Sequence, residues 1–445
     1  MTGPRERALL LFGTALVLVG LAFGGSAAMA SRQPVTSDDA ARTLVGVQGG
    51  GPGLHEYGRV AMYDADGQRR WAVADADSYF DVTHRDDGTV LAGFMDGGYQ
   101  SCGPYDPPCS RTGFRILDPD AAEPITYEYS YPVRTKKNSE THDVERLPSG
   151  NYLLTGMDRE RVFVVEPDES APGNGTVVWQ WNASSFYESP PDPTRRDWLH
   201  INDVDRIGDG RYLVSVRNAN QLLILQRGRG VVDVVNADDP NTPESECTNF
   251  GRLYDANGDG NVRCGDPGLF NEQHNPQWLG DGAVLVADSG NDRVVEIHRN
   301  DSTGEWRVAW ALSSANGESF AWPRDADRLP NGTTLITDSA NGRVVEVTQS
   351  GETVYSATMA HGHFPYEAER LPVGETVGGP RYVNGTIVET GDRGDVPVLT
   401  EALGILRTSL ALPYWVSEVH LVVAIVAVLL ALAGVREAIV AWRRA

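Results

Sequence analysis

The chain has 445 residues, room for one large domain or two ordinary ones, and its 61 acidic residues outnumber 38 basic ones for a formal charge of −23. So negative a surface repels nucleic acid and anionic lipid, which excludes the basic binding classes. The acid is spread along the chain, and lysine is confined to Lys136 and Lys137. This suits a solvated surface in high salt, or else one that recruits a cationic partner. Taken in chain order, residues 1–30 open with Arg5 and Arg7 before an apolar run from Ala8 to Ala30. That pattern reads as a signal peptide or signal-anchor helix, and Ala28-Met29-Ala30 resembles a cleavage site. Residues 31–54 read as a linker, and 55–392 as the body.

The body lacks helix-period stretches and is built from short β-branched and aromatic runs between Gly, Asp and Asn turns. A repeat runs through it, anchored on a polar turn that ends in glycine and leads into an apolar strand. The anchors are Gly88, Gly150, Gly210, Gly282, Gly332 and Gly374, spaced 42 to 72 residues apart. The shortest spacing is that of a four-stranded propeller blade of about 40–50 residues, and the longer ones imply loop insertions. Six second hairpins accompany the anchors: Val60–Val73, Phe114–Tyr131, Val162–Trp181, Leu222–Val235, Val294–Leu312 and Val344–Thr358. The chain begins with one of these and ends on an anchor hairpin from Tyr366 to about 390. The two halves are expected to complete one blade and close the ring. The fold expected is therefore all-β, a six-bladed β-propeller with N- and C-terminal transmembrane helices. Residues 393–413 read as a juxtamembrane linker, 414–435 as a transmembrane helix with Tyr414 and Trp415 at its interface, and 436–445 as a cytoplasmic tail bearing Arg436, Arg443 and Arg444. Positive flanks at both outer ends put both termini inside and the propeller outside the cell membrane. Asn-X-Ser/Thr acceptors at Asn174, Asn182, Asn300, Asn331 and Asn384 suit that location. The cysteines fall as local pairs, Cys102 with Cys109 and Cys247 with Cys264, which would oxidise outside the cell; a zinc site lacks any Cys-x-x-Cys pair to support it.

Inner strands of a propeller begin near its central channel, so equivalent early positions converge. Eight residues before each anchor stand Phe80, His142, Asn202, His274, Arg324 and Tyr366, with His200 two residues earlier in its own copy. Arg217 follows His200 by 17 residues, at the end of the next strand or in the turn after it. Three imidazoles can bind a metal. Alternatively one neutral imidazole acts as a nucleophile while cations hold an anion. Arg217 favours the second reading, since its planar fork suits an oxyanion and cannot ligate a metal. No Gly-rich phosphate cradle, Gly-x-Ser-x-Gly elbow or His-Glu-x-x-His motif is present. Trp198, Phe364 and Tyr366 either stack on an aromatic substrate or pack between blades.

Two further motifs stand apart. Asp255, Asn257, Asp259, Gly260, Asn261 and Asp266 match an EF-hand-type loop with Asp266 where glutamate is usual, and are expected to hold a structural Ca2+ within an insertion at about 240–270; a plain turn is the alternative. The runs Asp288-Ser-Gly-Asn-Asp-Arg293 and Asp338-Ser-Ala-Asn-Gly-Arg343 read as repeated turns whose polar side chains satisfy backbone groups.

The stretches Thr141-His142-Asp143-Val144 to Leu154, His200-Ile201-Asn202-Asp203-Val204 to Ser215-Val216-Arg217-Asn218-Ala219-Asn220, and Gln273-His274-Asn275-Pro276-Gln277 to Arg293 resemble the arylsulfotransferase family that works without a nucleotide donor. The resemblance covers about half the chain and suggests a membrane-anchored, haloarchaeal-type member without the larger N-terminal domain of bacterial ones. It implies a six-bladed propeller that moves a sulfuryl group from an aromatic sulfate donor to a phenolic acceptor, with no organic cofactor. By position, His274 resembles the histidine that becomes sulfated, and His142, His200 and Arg217 the groups that hold the sulfate oxygens. A binding or scaffold propeller without transfer activity is the alternative, since the fold alone decides nothing. A metal-dependent hydrolase is a third.

Overall fold

The computed structural model describes residues 3–30, 42–50, 55–168, 170, 174–238, 252–256, 258, 262–359, 363–374, 376–382, 387–388, 416 and 418–443. They form two units, Val35–Gly391 and the two chain ends together.

The larger unit is a six-bladed propeller of antiparallel sheets, each running outward from the channel. Blade 2 is Ser78–His84, Val90–Tyr99, Cys109–Leu117 and Ile125–Val133; blade 3 is Val144–Arg146, Tyr152–Gly156, Arg161–Pro167 and Gly175–Asn182. Blade 4 is Ile201–Gly208, Arg211–Val216, Gln221–Gln226 and Gly230–Val235. Blade 5 is His274–Gly280, Ala283–Asp288, Arg293–Arg299 and Trp306–Leu312, with Ile387–Val388 added in parallel at its outer edge. Blade 6 is Pro323–Arg328, Thr334–Asp338, Arg343–Val347 and Thr353–Thr358, and Ser314–Ala315 pairs with Glu318–Ser319 as a small hairpin before it. The outer hairpins fall where the sequence puts them: Val60 pairs with Val73, Val162 with Trp181, Leu222 with Val235 and Val294 with Leu312.

Blade 1 closes the ring differently from expectation. One C-terminal strand, Phe364–Leu371, is innermost, and three N-terminal strands, Arg42–Gly49, Arg59–Tyr63 and Arg69–Val73, follow it. The split is one strand to three, not two to two, and residues 42–49 are a buried strand within the stretch expected to be linker. Its glycines hid it. A Cβ on Gly46 would overlap the carbonyl oxygen of Phe80 in blade 2, so the close approach of the two blades requires a residue without a side chain.

Packing between blades supplies the core. Leu44, Val60 and Met62 of blade 1 cluster with Tyr79, Val82, Val90 and Phe94 of blade 2, and blades 1 and 6 join through Val45, Val47, Tyr355 and Ala357. Inside the channel, inner-strand N–H groups have no strand neighbour, and acidic side chains accept from them across the blade boundary. Asp81 accepts from the Val144 amide, Asp143 from Val204, Asp325 from Ala368 and Glu367 from Val82. Much of the channel's acidity therefore serves the framework.

The repeated Asp-Ser turns behave as read. Asp338 and Arg343 are wholly buried and paired at 2.7 Å; Asp338 also accepts from Asn341 at 2.7 Å and the Ala321 amide at 2.8 Å. Asp288, Asn291 and Arg293 repeat the arrangement one blade earlier. Cys102 and Cys109 are disulfide-bonded, as is Cys264, whose expected partner Cys247 lies outside the described residues.

In the smaller unit, helices Pro4–Ala30 and Glu418–Arg443 are each long and apolar enough to span a membrane. They pack antiparallel, Arg7 pairing with Glu437 at 3.1 Å and Phe23 meeting His420 edge-on. The C-terminal helix continues to Arg443 through the residues read as a tail, and Glu437 among them pairs with Arg7.

Candidate active site

The inner strands carry a shared irregularity. In blade 2 the ladder skips Phe80 and Asp81, in blade 4 Asn202, in blade 5 Asn275 and Pro276, in blade 6 Arg324, and in blade 1 Tyr366. A bulge releases a residue from the pleat and re-aims its side chain. Here it turns Phe80, Asn202, Arg324 and Tyr366 out of the ladder, while His274 is the first paired residue of its strand and His142 lies just before Val144–Arg146.

They meet as a contiguous cluster. The Phe80 ring lies edge-on to His142 at 4.8 Å between centroids and to Tyr366 at 5.4 Å. His142 stacks on His200 at 5.1 Å and on Tyr366 at 5.3 Å. His274 lies edge-on to Tyr366 at 5.9 Å, and the Arg324 guanidinium lies 5.2 Å from the same ring. Arg217 opens the turn after Arg211–Val216, with its Nη1 3.5 Å from His200 Nδ1. Its Nη2 donates to Glu272 at 2.9 Å. His142, His200, His274 and Arg217 are thus brought together.

Second contacts fix the protons. His274 Nδ1 lies 3.0 Å from the Glu272 carbonyl and 2.8 Å from Ser289 Oγ. A carbonyl only accepts, so Nδ1 carries the proton and Nε2 keeps a lone pair. Burial, then Arg324 and Arg217, holds the His274 imidazole well below its usual pKa, and burial, then His200 and Arg324, does the same for His142. Both rings are neutral at pH 7. His200 Nδ1 pairs with Asp197 Oδ2 at 2.9 Å. Burial alone would raise Asp197, but His200, Arg217 and Arg252 pull it down to about 2. His200 itself has left-handed backbone, as do Glu272 and Trp322. The Glu160 carboxylate clamps that turn, accepting from the amides of Leu199, His200 and Ile201 at 3.0, 2.7 and 2.9 Å. Such strain of about 1 kcal/mol per residue persists where surrounding contacts over-determine it.

Several buried polar atoms at the centre have no partner among the described residues: His142 Nδ1, Arg217 Nε, Arg324 Nε and the Tyr366 hydroxyl. Unmet buried polar groups cost about 1–3 kcal/mol each. The two guanidinium Nε groups can only donate and so suit an anionic ligand, while Asn202 Oδ1, at the equivalent position of blade 4, is an acceptor likewise without a partner among the described residues. Among the described residues no group of three His, Cys or acidic side chains is set to hold a metal ion, the three imidazoles included. Trp198 belongs to the core between blades 3 and 4 and not to this cluster.

Asp197, Glu160, Glu272 and Ser289 were not assigned from sequence. Asp197 stands three residues before His200, a spacing visible in the chain but meaningful only once the turn is known. Of the calcium-loop residues, Asn257, Asp259 and Asn261 lie outside the described residues. Asp255 Oδ1 accepts from the Gly258 amide and Asp266 Oδ1 from the Gly268 amide, each at 2.7 Å.

The family model described as arylsulfotransferase (ASST) matches residues 52–305. No curated protein matches the chain. Among solved structures, a protein of unknown function from Bacteroides caccae is 13% identical with a TM-score of 0.47, covering 75% of this chain and 99% of that one. A putative 6-phosphogluconolactonase from Bacteroides uniformis is 12% identical with a TM-score of 0.45, covering 75% and 100%. Virginiamycin B lyase from Staphylococcus aureus is 11% identical with a TM-score of 0.34, covering 63% and 69%. At such scores these likenesses carry no argument about this chain.

Proposed function

The chain belongs to the arylsulfotransferase family, and from that premise we propose that it transfers a sulfuryl group from an aryl sulfate ester to a phenol through His274. The observation that carries the reading is the fixed tautomer of His274, whose Nδ1 proton is committed to the Glu272 carbonyl. Nε2 of this neutral ring attacks sulfur, and the bond from sulfur to the aryl oxygen breaks with its electron pair leaving on the phenolate. His200, oriented by Asp197, gives the phenolate its proton. A phenolic acceptor then returns a proton to His200 and attacks sulfur, the N–S bond breaks, and His274 regains its lone pair. The transition state is expected to be loose, as in phosphoryl transfer, with charge on the peripheral oxygens. Catalysis then rests on positioning and on donors to the sulfuryl oxygens, here the cationic Arg217 and the neutral His142 ring. The site needs no organic cofactor. The two apolar helices support a membrane hairpin, with the propeller outside the cell and Ca2+ in the Asp255–Asp266 loop as structural support.

The test is the full-length chain in detergent, at high salt and with calcium, given 4-nitrophenyl sulfate and phenol. Release of 4-nitrophenolate that depends on phenol is expected, and a radiolabelled sulfuryl group should be trapped on His274. His274→Ala should abolish both with the melting temperature kept. Absence of turnover across several aryl sulfates, or turnover that survives His274→Ala, overturns the reading.

A further inference from the structure

His274 stands in blade 5 between two guanidiniums, Arg217 from blade 4 and Arg324 from blade 6. The sequence resemblance accounts for one arginine only. Arg324 is 3% exposed, and it is one of the bulged residues turned out of the ladder. Among the described residues no acidic side chain within hydrogen-bonding distance neutralises it. Its Nη1 donates to Gln48 Oε1, a neutral group on the closing strand of blade 1. The plane of the fork lies against aromatic rings, 4.1 Å from Trp322 and 5.2 Å from Tyr366. Its Nε meets no acceptor among the described residues. A buried, uncompensated guanidinium is costly unless something anionic completes it. Arg328, four residues on, shows what a structural arginine looks like here: it pairs with Glu296 at 3.0 Å, both side chains wholly buried.

We propose that Arg324 is a second catalytic cation, holding the peripheral oxygens of the transferring sulfuryl group opposite Arg217. The step rests on the transfer reading given above. Arg324 forms and breaks no covalent bond; its N–H groups donate to sulfuryl oxygens, and those bonds tighten as charge gathers there. Gln48 positions it, so the N-terminal strand that closes the ring also completes the site. Electrostatics agree with the geometry: burial first, and then Arg324 ahead of the other charged groups, lowers the pKa of the His274 ring. A site with two guanidiniums and neutral imidazoles should favour tetrahedral oxyanions over halide.

The proposal is tested with inorganic sulfate as the probe, by calorimetry on the full-length chain in detergent, alongside turnover of 4-nitrophenyl sulfate. Loss of one charged donor should weaken sulfate binding about 10- to 100-fold in Arg324→Gln, and lower kcat about 100- to 1,000-fold. Arg324→Lys should recover part of both, and chloride should not compete. Arg328→Met is the control for a merely structural arginine: it should lower the melting temperature and leave sulfate affinity unchanged. If folded Arg324→Gln binds sulfate as tightly as the unaltered chain, the proposal is overturned, even where turnover falls. If the unaltered chain binds sulfate, Arg324→Gln does not, and neither transfers, the cation clamp stands and the transfer reading falls.

Discussion

Replacing Asp197 with asparagine removes the charge that orients His200 while keeping its shape. The carboxylate accepts from His200 Nδ1 at 2.9 Å, from Arg252 at 2.8 Å and from Asn218 at 3.4 Å. It is held at about 2, against an ordinary value of 3.8. At about 1.4 kcal/mol per tenfold change in proton affinity, that depression contributes about 2 kcal/mol to folding at neutral pH. The side chain is 15% exposed, so solvent screening removes little of it. A depressed carboxyl stabilises above its unfolded pKa, and that contribution is lost as pH falls through the folded value. Asp197→Asn should therefore unfold about 3 °C lower at pH 7, for a fold of this size. The gap should shrink between pH 4 and pH 2. In the same variant the amide cannot serve as the anionic acceptor for Nδ1–H, and turnover should fall about 10- to 100-fold. Denaturation midpoints of both proteins at pH 7, 4 and 2.5, with 4-nitrophenolate release at pH 7, provide the check. A stability gap independent of pH, or full turnover in Asp197→Asn, would refute the assigned role.

Arg343→Met leaves Asp338 buried without its cation and should cost about 3–5 kcal/mol, while the double change with Asp338→Asn should cost less than the sum; thermal melts of the three variants decide it. Gly46→Ala drives a methyl into the Phe80 carbonyl and should prevent stable closure of the ring, seen as lost expression or a melting temperature lowered by more than 4 °C; wild-type behaviour would remove the close approach. Opening the Cys102–Cys109 loop by Cys109→Ala with Cys102→Ala should cost about 2 kcal/mol, read from denaturant midpoints with and without reductant. Calcium at 100 times its dissociation constant should raise stability by about 3 kcal/mol, and Asp259→Ala should cancel the gain; a melting curve indifferent to chelator rules calcium out.

The ring was legible because the signal recurs. Six glycine anchors, each preceded at eight residues by a channel position, fix both the number of blades and the residues that meet at the axis. His142 and His274 converge as that register requires; His200, two residues off it, and Arg217, whose facing the spacing leaves open, join them in the structure. What stayed hidden depends on space rather than spacing. Val45-Gly46-Val47-Gln48-Gly49 looks like a linker because its glycines have no local cause; the cause is Phe80 in the next blade. Glu160 lies 40 residues from His200, whose amide it holds, and Glu272 lies 55 residues from Arg217, with which it pairs. Arg436 and Glu437 read as a tail until Arg7 on the first helix supplies the partner.

The bulges on the inner strands separate two demands that usually conflict. Because Phe80, Asn202, Arg324 and Tyr366 stand outside the ladder, exchanging any of them breaks no pairing between strands. The residues that face the channel can therefore change one blade at a time while the strands around them keep the same pairing.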